Sequence, residues 1–327
     1  MAKLRVLSGM RPTGRLHLGH LLGALHNWKE FQDEYECFYM IADWHALTTA
    51  YADTSEFQDN IHQMLIDWLS CGIDTDKCVI FRQSQIPEHA ELHILLSTIT
   101  PLPWLERCPT YKEQMKELPQ LELRTYGFLG YPVLQAADIL VYKANIVPVG
   151  EDQLPHLELT REITRRFNHL YGEVFPIPES KLTQTPKLPG IDGRKMSKSY
   201  GNCIYLSDSD DEIVNKVKSM ITDPARIHPT DLGHPDICTV FAFHQSFNKN
   251  GVEVVRQECK EAKRGCVNCK KELTQILISC LKDIHETRKR LEEDLQKIIN
   301  ILNEGKEKAR QITSSVMNEV RKAMKIV

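Results

Sequence analysis

The sequence lacks an apolar run long enough to cross a membrane, and it has no large excess of one charge. Its longest charge-free apolar stretch, near Tyr126–Ala137, has about 12 residues and contains a proline, whereas a membrane-spanning helix needs about 20. The formal net charge is only −3, which excludes a strongly basic nucleic-acid-binding protein but not a local basic surface. The segment Met1–Gly9 has no apolar core typical of a signal peptide, so we expect a cytoplasmic protein.

Cysteine is too scarce for a disulfide-stabilised scaffold. The 327 residues include ten cysteines, well below the roughly 8–10% typical of such scaffolds, and reduced thiols are expected in a cytoplasmic protein. Six cysteines are scattered along the chain and are predicted to be small buried apolar residues: Cys37, Cys71, Cys78, Cys108, Cys203 and Cys280. The other four lie close together in the sequence and need a separate explanation.

Short apolar runs alternate with helical patterns over the first part of the chain. Strands are predicted at Leu4–Leu7, Cys37–Ala42 and Cys78–Phe81, each followed by a helical pattern. This alternation predicts an α/β fold with a doubly wound, parallel, Rossmann-like sheet. The remaining segments are predicted to be mainly helical at 100–175, loop-like at 179–191, and helical without strands from about 210 onward.

The length corresponds to about two domains. We expect an α/β domain at 1–200 with a helical insertion at about 105–176, then an all-α domain at 201–300 and a C-terminal helix at 301–327. Residues 280–327 show the pattern of two amphipathic helices, and Gly305 is predicted to separate them.

The first motif that could carry chemistry is Pro12–His20, which lies between the first strand and the first helix. A helix N-terminus offers free N–H groups and a partial positive charge, both of which favour phosphate. His17 and His20 are three residues apart, so both imidazoles share one helix face and can donate to phosphate oxygens. Gly14 and Gly19 would let a ligand approach the backbone. The alternative is an ordinary glycine-containing turn with two surface histidines.

The second motif, Asp192–Ser199, carries Lys195 and Lys198 in the run Lys-Met-Ser-Lys-Ser. Flexible lysines suit the charge that develops on a leaving pyrophosphate, although a solvated basic loop is the alternative. Together, H-x-G-H and K-M-S-K-S resemble the motifs of class I aminoacyl-tRNA synthetases. In that family the two motifs bind ATP from opposite sides and stabilise attack of an amino-acid carboxylate on the α-phosphate, which needs positioning and charge stabilisation rather than a covalent nucleophile.

A third region, Tyr131–Tyr142, places Asp138 inside an apolar helical pattern, on a face that Gln135 and Tyr142 can share. A carboxylate in apolar surroundings needs a hydrogen-bond donor, which is either an internal partner or a substrate. An indole N–H only donates, so its pocket needs an acceptor such as Asp138. A site of this kind rejects analogues without the donor by roughly 10⁴-fold or more. A phenol O–H also donates, so this reasoning leaves both tryptophan and tyrosine open.

Four segments make the resemblance more specific: Ile41–Thr49, Ser84–Leu92, Tyr131–Leu140 and Val147–Gln153. They are similar to bacterial-type tryptophanyl-tRNA synthetases, and the likeness extends from Leu7 to the final helix. The resemblance implies an enzyme that activates L-tryptophan with ATP and transfers it to tRNA(Trp). It also implies Mg²⁺ bound with ATP, a homodimer and an anticodon-binding helical domain.

The resemblance further assigns roles to individual residues. Asp138 accepts the indole N–H, and Tyr131, Gln135 and Gln153 border the amino acid. The implied catalytic residues are His17, His20, Lys195 and Lys198. The implied ATP contacts are Arg11, Pro12, Thr13, Gly19, His20, Gly150, Glu151, Asp152, Leu188, Lys195, Met196, Ser197, Lys198 and Ser199. Arg11 and Gln135 depart from the family, where many relatives carry Gln and Met at these positions.

The clustered cysteines follow the pattern Cys238-x20-Cys259-x6-Cys266-x2-Cys269. Four thiols at such spacing suit zinc or an iron–sulfur cluster, and a chance gathering of reduced thiols is the alternative. The flanking segment Arg256–Lys271 is rich in Lys and Arg, which would lower the thiol pKa values and could contact RNA phosphate. A subset of the resembling family binds a 4Fe-4S cluster on a similar pattern whose first gap is 22 residues. We therefore expect a 4Fe-4S cluster, with structural Zn²⁺ as the alternative.

Two other functions stay open at this point: activation of tyrosine, and an RNA-binding paralogue that has lost catalysis. The intact histidine and lysine motifs argue against the second. Amino-acid-dependent ATP–pyrophosphate exchange would discriminate among all three.

Overall fold

The computed structural model describes residues 3–109, 124–182 and 188–327. In this part of the chain five parallel strands form one sheet in the order β3-β2-β1-β4-β5. The strands are β1 (Arg5–Met10), β2 (Glu36–Ile41), β3 (Cys78–Arg82), β4 (Ile146–Val149) and β5 (Glu179–Leu182). The predicted parallel Rossmann-like sheet is confirmed.

Helices flank this sheet and build the C-terminal region. Those around the sheet are α1 (Leu18–His20), which continues through a π turn at Leu21–Leu25 into α2 (His26–Glu34), then α3 (Asp43–Ala50), α4 (Phe57–Ser70), α5 (Glu88–Ser97), α6 (Leu102–Glu106), α7 (Tyr126–Leu140) and α8 (Leu154–Tyr171). The C-terminal helices are α9 (Asp210–Ser219), α10 (Thr239–Phe247), α11 (Val252–Lys260), α12 (Cys266–Glu292) and α13 (Leu295–Ala323). None of the described helices is both long and apolar enough to span a bilayer.

The strand order fixes where a ligand can bind. β1 lies between β2 and β4, with Val6 paired to Cys37 on one side and to Ile146 on the other. The connections from β1 lead in opposite directions across the sheet, first to β2 and β3 and then back to β4 and β5. A crevice opens beyond the carboxyl ends of strands at such a switch point, and this is where open α/β sheets bind their ligands.

Two strands lie where no strand was predicted. β4 falls in the segment that was predicted to be mainly helical, and β5 falls in the predicted loop. β4 contains Pro148, and β5 is a polar Glu-Ser-Lys-Leu run that is partly exposed. Neither shows the continuous apolar run of β2, which is buried on both faces as expected for a central parallel strand.

The C-terminal region is helical, as predicted from the sequence, but the helix boundary was misplaced. α12 ends at Glu292 and α13 begins at Leu295, so Gly305 lies inside α13 rather than between two helices. A Cβ at Gly305 would overlap the carbonyl oxygen of Ile80 in β3. Glycine at this position therefore allows α13 to lie directly against the sheet, where Val316 and Met317 join the core of the α/β domain.

The scattered cysteines are mostly buried. Cys37, Cys78, Cys108 and Cys203 are buried, as predicted for small apolar residues. Cys71 is only half-buried and Cys280 is exposed on α12, so the prediction fails for Cys280.

Candidate active site

A cavity of about 310 Å³ opens at the switch point of the sheet. Residues 7–9 of β1 and 147–149 of β4 form part of its wall, and α3, α7 and α8 close the other sides. Five residues singled out from the sequence line this cavity together: Arg11, Tyr131, Gln135, Asp138 and Gln153. The predicted amino-acid-binding residues therefore share one space.

Asp138 is 1% exposed, and three side chains donate to its carboxylate. His45 Nε2 lies 2.6 Å from Oδ2 and His89 Nδ1 lies 2.6 Å from Oδ1. Gln83 Nε2 donates to both oxygens, at 2.8 and 3.0 Å. Burial alone would raise the pKa of Asp138, but His45 and His89 outweigh burial and hold this pKa below its ordinary value. The carboxylate is therefore ionised at neutral pH and acts only as an acceptor.

The donors around Asp138 are themselves held in place. Gln83 Oε1 accepts hydrogen bonds from the backbone N–H of Trp44 at 3.1 Å and of His45 at 3.4 Å. His89 Nε2 is 3.0 Å from the Tyr142 hydroxyl. Sequence reasoning did not find His45, Gln83 or His89. Because these residues follow the carboxyl ends of β2 and β3, their position relative to the predicted strands was a usable signal.

A second polar chain lines the cavity wall formed by α7 and α8. The Tyr131 hydroxyl is 2.7 Å from His156 Nε2, and His156 Nδ1 is 3.2 Å from Gln153 Oε1. Burial lowers the pKa of His156 to about 4 and raises that of Tyr131 above its ordinary value. Both side chains are therefore neutral at pH 7. His156 is a further cavity residue that the sequence patterns did not indicate.

The two histidines of the first motif are half-buried and contact each other, with ring centres 3.8 Å apart. His17 Nδ1 accepts from the Gly19 backbone at 3.1 Å, and His20 Nδ1 accepts from the His17 backbone at 3.2 Å. Burial lowers the pKa of His17 to about 4 and that of His20 further, and Lys198 adds to both effects. Each neutral ring therefore carries its proton on Nε2, which is free to donate to an anion.

The second motif lies against the first. Lys198 Nζ donates to the carbonyl oxygens of Gly14 at 2.8 Å and Thr13 at 3.2 Å. Gly14 has a φ of 100°, a conformation that favours glycine. Burial lowers the pKa of Lys198 to about 8. The fold thus joins two motifs that are far apart in the sequence into one cluster of donors and positive charge.

The remaining predicted ATP contacts are spread around this cluster. Leu188 and Met196 are buried in one apolar core with Leu18. Lys195, Thr13 and Ser199 are exposed, and Pro12 is buried. Ser197 Oγ lies 2.9 Å from Ser199 Oγ. The described residues that line the cavity do not include Leu188, Gly150, Glu151 or Asp152. These last three residues form the turn after β4, where Asp152 accepts from Gln153 at 3.2 Å.

Comparison with known proteins gives the family. The family model for "tRNA synthetases class I (W and Y)" matches residues 1–282. The chain belongs to this family. It is 52% identical to the tryptophan–tRNA ligase of Thermotoga maritima, over 99% of this chain and 100% of that protein. It is 45% identical to the tryptophan–tRNA ligase of Aquifex aeolicus, with the same coverage.

A solved structure supports the same assignment. Tryptophanyl-tRNA synthetase from Campylobacter jejuni, crystallised with ADP and tryptophan, superposes on this synthetase with a TM-score of 0.90. The two sequences are 32% identical, and the match covers 98% of this chain and 99% of the other. The likeness therefore includes both the sheet and the C-terminal helices.

In this synthetase the four clustered cysteines line a second, smaller cavity. Cys238 precedes α10, Cys259 lies in α11, and Cys266 and Cys269 lie in the first turn of α12. None of the four forms a disulfide. Within the described ranges, no three His, Cys, Asp or Glu side chains are placed to hold a metal ion.

Burial and basic residues shift the pKa of the clustered thiols in opposite directions. Burial raises the pKa of Cys238 and Cys259, and it raises that of Cys269 to about 12. Arg226 lowers the pKa of Cys259 and Arg264 lowers that of Cys269, as expected for basic residues, but burial is the larger effect. Much of the basic charge is already paired, as in Arg256 with Asp236 at 2.7 Å.

Proposed function

We propose that this synthetase is a tryptophan–tRNA ligase. It forms tryptophanyl-adenylate from L-tryptophan and ATP, with Mg²⁺ accompanying ATP, and then transfers tryptophan to tRNA(Trp). The observation that carries the proposal is a buried, ionised carboxylate, Asp138, at the wall of the switch-point cavity. An indole N–H needs such an acceptor. The 52% identity to a tryptophan–tRNA ligase over nearly the whole chain supports the same substrate.

The lining of the cavity suits an indole ring in its polarity. Met40, Ile139 and Val149 supply apolar wall, while Tyr131 and Gln153 offer polar atoms beside it. Ligand sites of this kind combine an apolar lining with a few polar groups that fix orientation. In the proposed complex the indole N–H points to Asp138, and Gln135, Tyr131 and Gln153 border the amino acid.

The two motifs are proposed to stabilise the charge of adenylate formation. The tryptophan carboxylate oxygen attacks the α-phosphorus, the bond to the β-phosphate breaks, and pyrophosphate leaves. His17 and His20 donate from Nε2 to phosphate oxygens, while Lys195 and Lys198 supply positive charge to the leaving group. Residues 11–13, 19, 20, 150–152, 188 and 195–199 are proposed to bind ATP.

Amino-acid-dependent exchange between ATP and pyrophosphate tests this proposal. We expect exchange with L-tryptophan and none with L-tyrosine, followed by charging of tRNA(Trp) once tRNA is added. Exchange with tyrosine alone would overturn the substrate assignment. Absence of exchange with both amino acids would overturn the proposed activity.

We further propose that Cys238, Cys259, Cys266 and Cys269 hold a 4Fe-4S cluster. Support comes from the shared cavity, from the spacing of the last three cysteines, which agrees with the cluster-binding pattern, and from the position of two of the thiols at the start of α12. A helix N-terminus favours an anionic group, and Arg226 and Arg264 line the same cavity. When bound, the cluster would link α10, α11 and α12 covalently through its thiolate bonds.

Metal analysis of protein purified without oxygen distinguishes the two possible occupants. A 4Fe-4S cluster predicts four iron and four acid-labile sulfide per chain, with broad absorbance near 400 nm. One zinc per chain and no such absorbance would replace the cluster with a structural zinc.

Two properties of the assembled enzyme complete the proposal. A homodimer is supported by exposed apolar side chains on three of the described helices: Ile94 on α5, Leu102 on α6 and Tyr126 on α7. Light scattering after gel filtration measures the mass directly, and Ile94→Glu is expected to weaken the dimer.

The helical region at 201–300 is proposed to bind the anticodon of tRNA(Trp), and the enzyme is proposed to act in the cytoplasm.

A further inference from the structure

The Asp138 carboxylate is held from behind by two side chains that do not line the described cavity. His89 Nδ1 lies 2.6 Å from Asp138 Oδ1, and the Tyr142 hydroxyl lies 3.0 Å from His89 Nε2. His89 and Tyr142 are both 0% exposed. A hydrogen-bond network therefore extends inward from Asp138 at the cavity wall through His89 to Tyr142.

The direction of each hydrogen bond in this chain follows from the charge of Asp138. An ionised carboxylate only accepts, so His89 carries a proton on Nδ1, and in the neutral ring Nε2 is then an acceptor. The Tyr142 hydroxyl supplies the matching donor. Burial keeps the pKa of Tyr142 well above its ordinary value, so this donor keeps its proton. Tyr142 therefore selects the tautomer in which His89 donates to Asp138.

We propose that His89 and Tyr142 are positioning residues that set the preference of this synthetase for an amino acid with an N–H donor. His89 fixes Oδ1, which leaves Oδ2 turned toward His45, a residue of the cavity wall. Without the Tyr142 hydroxyl, His89 can adopt its other tautomer, whose unprotonated Nδ1 would repel the carboxylate. Asp138 would then turn away or bind a proton, and in both cases it would accept a substrate N–H less well. This inference rests on the proposed function.

Tyr142→Phe tests the inference, because it removes one hydroxyl and keeps the ring. The readout is kcat/KM in ATP–pyrophosphate exchange for L-tryptophan, divided by that for L-3-benzothienylalanine, in which sulfur replaces the indole N–H. The ratio is expected to fall about fivefold, as for the loss of one buried hydrogen bond. Tyr39→Phe is the matched control, since Tyr39 is also fully buried and its hydroxyl donates to the Trp28 carbonyl at 2.7 Å. This control is expected to leave the ratio unchanged.

Two substitutions of His89 add a rescue experiment. His89→Asn keeps an N–H near the position of Nδ1, whereas His89→Leu has no donor, so the ratio should fall further in His89→Leu. A ratio that stays at the wild-type value in Tyr142→Phe and His89→Leu would overturn the inference, even if both activities fall in parallel. A wild-type enzyme that does not activate tryptophan would instead overturn the proposed function, and the inference with it.

Discussion

The two cavities of this synthetase differ in how the chain satisfies their polar side chains. In the switch-point cavity Asp138 has three internal donors, and its pKa is held below the ordinary value. In the cysteine cavity the thiols are also partly buried, but the pKa of Cys269 is raised to about 12. The first set of groups is ready to bind with no substrate present, whereas the second set favours neutral thiols in the absence of a metal.

This difference indicates what each cavity contributes. A preorganised acceptor needs no rearrangement when a substrate arrives. Its contribution is therefore seen as a change in substrate preference when the acceptor is altered. Thiols that must ionise to bind a metal release protons on binding, and the free energy of that binding adds to the stability of the fold. Substitutions in the first cavity should therefore change kinetics, and substitutions in the second should change unfolding.

The largest effect is expected from Asp138→Asn. An amide in place of the carboxylate presents an N–H₂ group to donors and loses the charge that they surround. We expect kcat/KM for tryptophan to fall by roughly 10³-fold or more. ATP–pyrophosphate exchange measures the loss, and thermal unfolding checks that the variant is folded.

The matched control is Asp223→Asn in the other cavity. Asp223 is likewise a buried carboxylate, and it accepts from the backbone N–H groups of Ala225 and His234 at 2.8 and 2.7 Å. In Asp223→Asn the kcat/KM for tryptophan is expected to change less than about threefold. A comparable loss in both variants would show that the two cavities are coupled.

The next largest effect concerns α12, the helix that extends from the cysteine cavity toward the histidine motif. α12 begins at the cysteine cavity, and near its other end Arg288 pairs with the buried Asp67. Asp67 also accepts from the backbone of Leu16, beside the histidine motif, at 3.3 Å. Arg288→Met would leave a buried carboxylate without its cation, and the free energy of unfolding should fall by about 3 kcal/mol.

Chemical denaturation measures this change, and two further variants interpret it. Arg290→Met on the exposed side of the same helix should change stability by less than about 0.5 kcal/mol. Adding Asp67→Asn to Arg288→Met should recover part of the loss, because it removes the unpaired charge. If the double variant is no more stable than Arg288→Met alone, packing rather than charge explains the effect.

A smaller loss of stability is expected from Cys269→Ser. Loss of one ligand of the proposed cluster should lower the free energy of unfolding by about 2 kcal/mol, and the melting temperature by about 4 to 8 °C. Cys280→Ser on the exposed side of α12 is the matched control, with an expected change under about 0.5 kcal/mol. Calorimetry gives the melting temperatures. If Cys269→Ser and Cys280→Ser melt together, the cysteine cavity contributes nothing to stability.

The sequence predicted the parts of the fold that have strong local signals. β1, β2 and β3 are apolar runs, and the histidine and lysine motifs have unusual composition, so all were found from the residues themselves. β4 and β5 were missed because Pro148 and a polar run conceal their pairing with the sheet. Gly305 looked like a helix end, since only the structure shows Ile80 against it.

The site was predicted in part for a related reason. Asp138 was conspicuous because it is a charge in an apolar helical pattern, which has a known energetic cost. The side chains that donate to this carboxylate are His45 in α3, Gln83 in the turn after β3 and His89 in α5. They are distant from Asp138 in the sequence, and nothing in their local pattern is unusual. Their positions after the predicted strands β2 and β3 were therefore the available signal.

The last expected effect is a pH dependence that arises from Lys198. The pKa of Lys198 is lowered from that of an ordinary lysine to about 8, so Lys198 is charged below pH 8 and neutral above it. Because the charged form is proposed to stabilise the leaving pyrophosphate, kcat/KM for ATP should fall about tenfold per pH unit above pH 8. His17, with a pKa of about 4, is already neutral at pH 6 and should cause no acidic decline above that pH.

In Lys198→Arg the guanidinium stays charged, so the alkaline decline should disappear even if the rate is lower. Exchange assays from pH 6 to 10 measure both profiles. An unchanged decline in Lys198→Arg would assign the decline to another group.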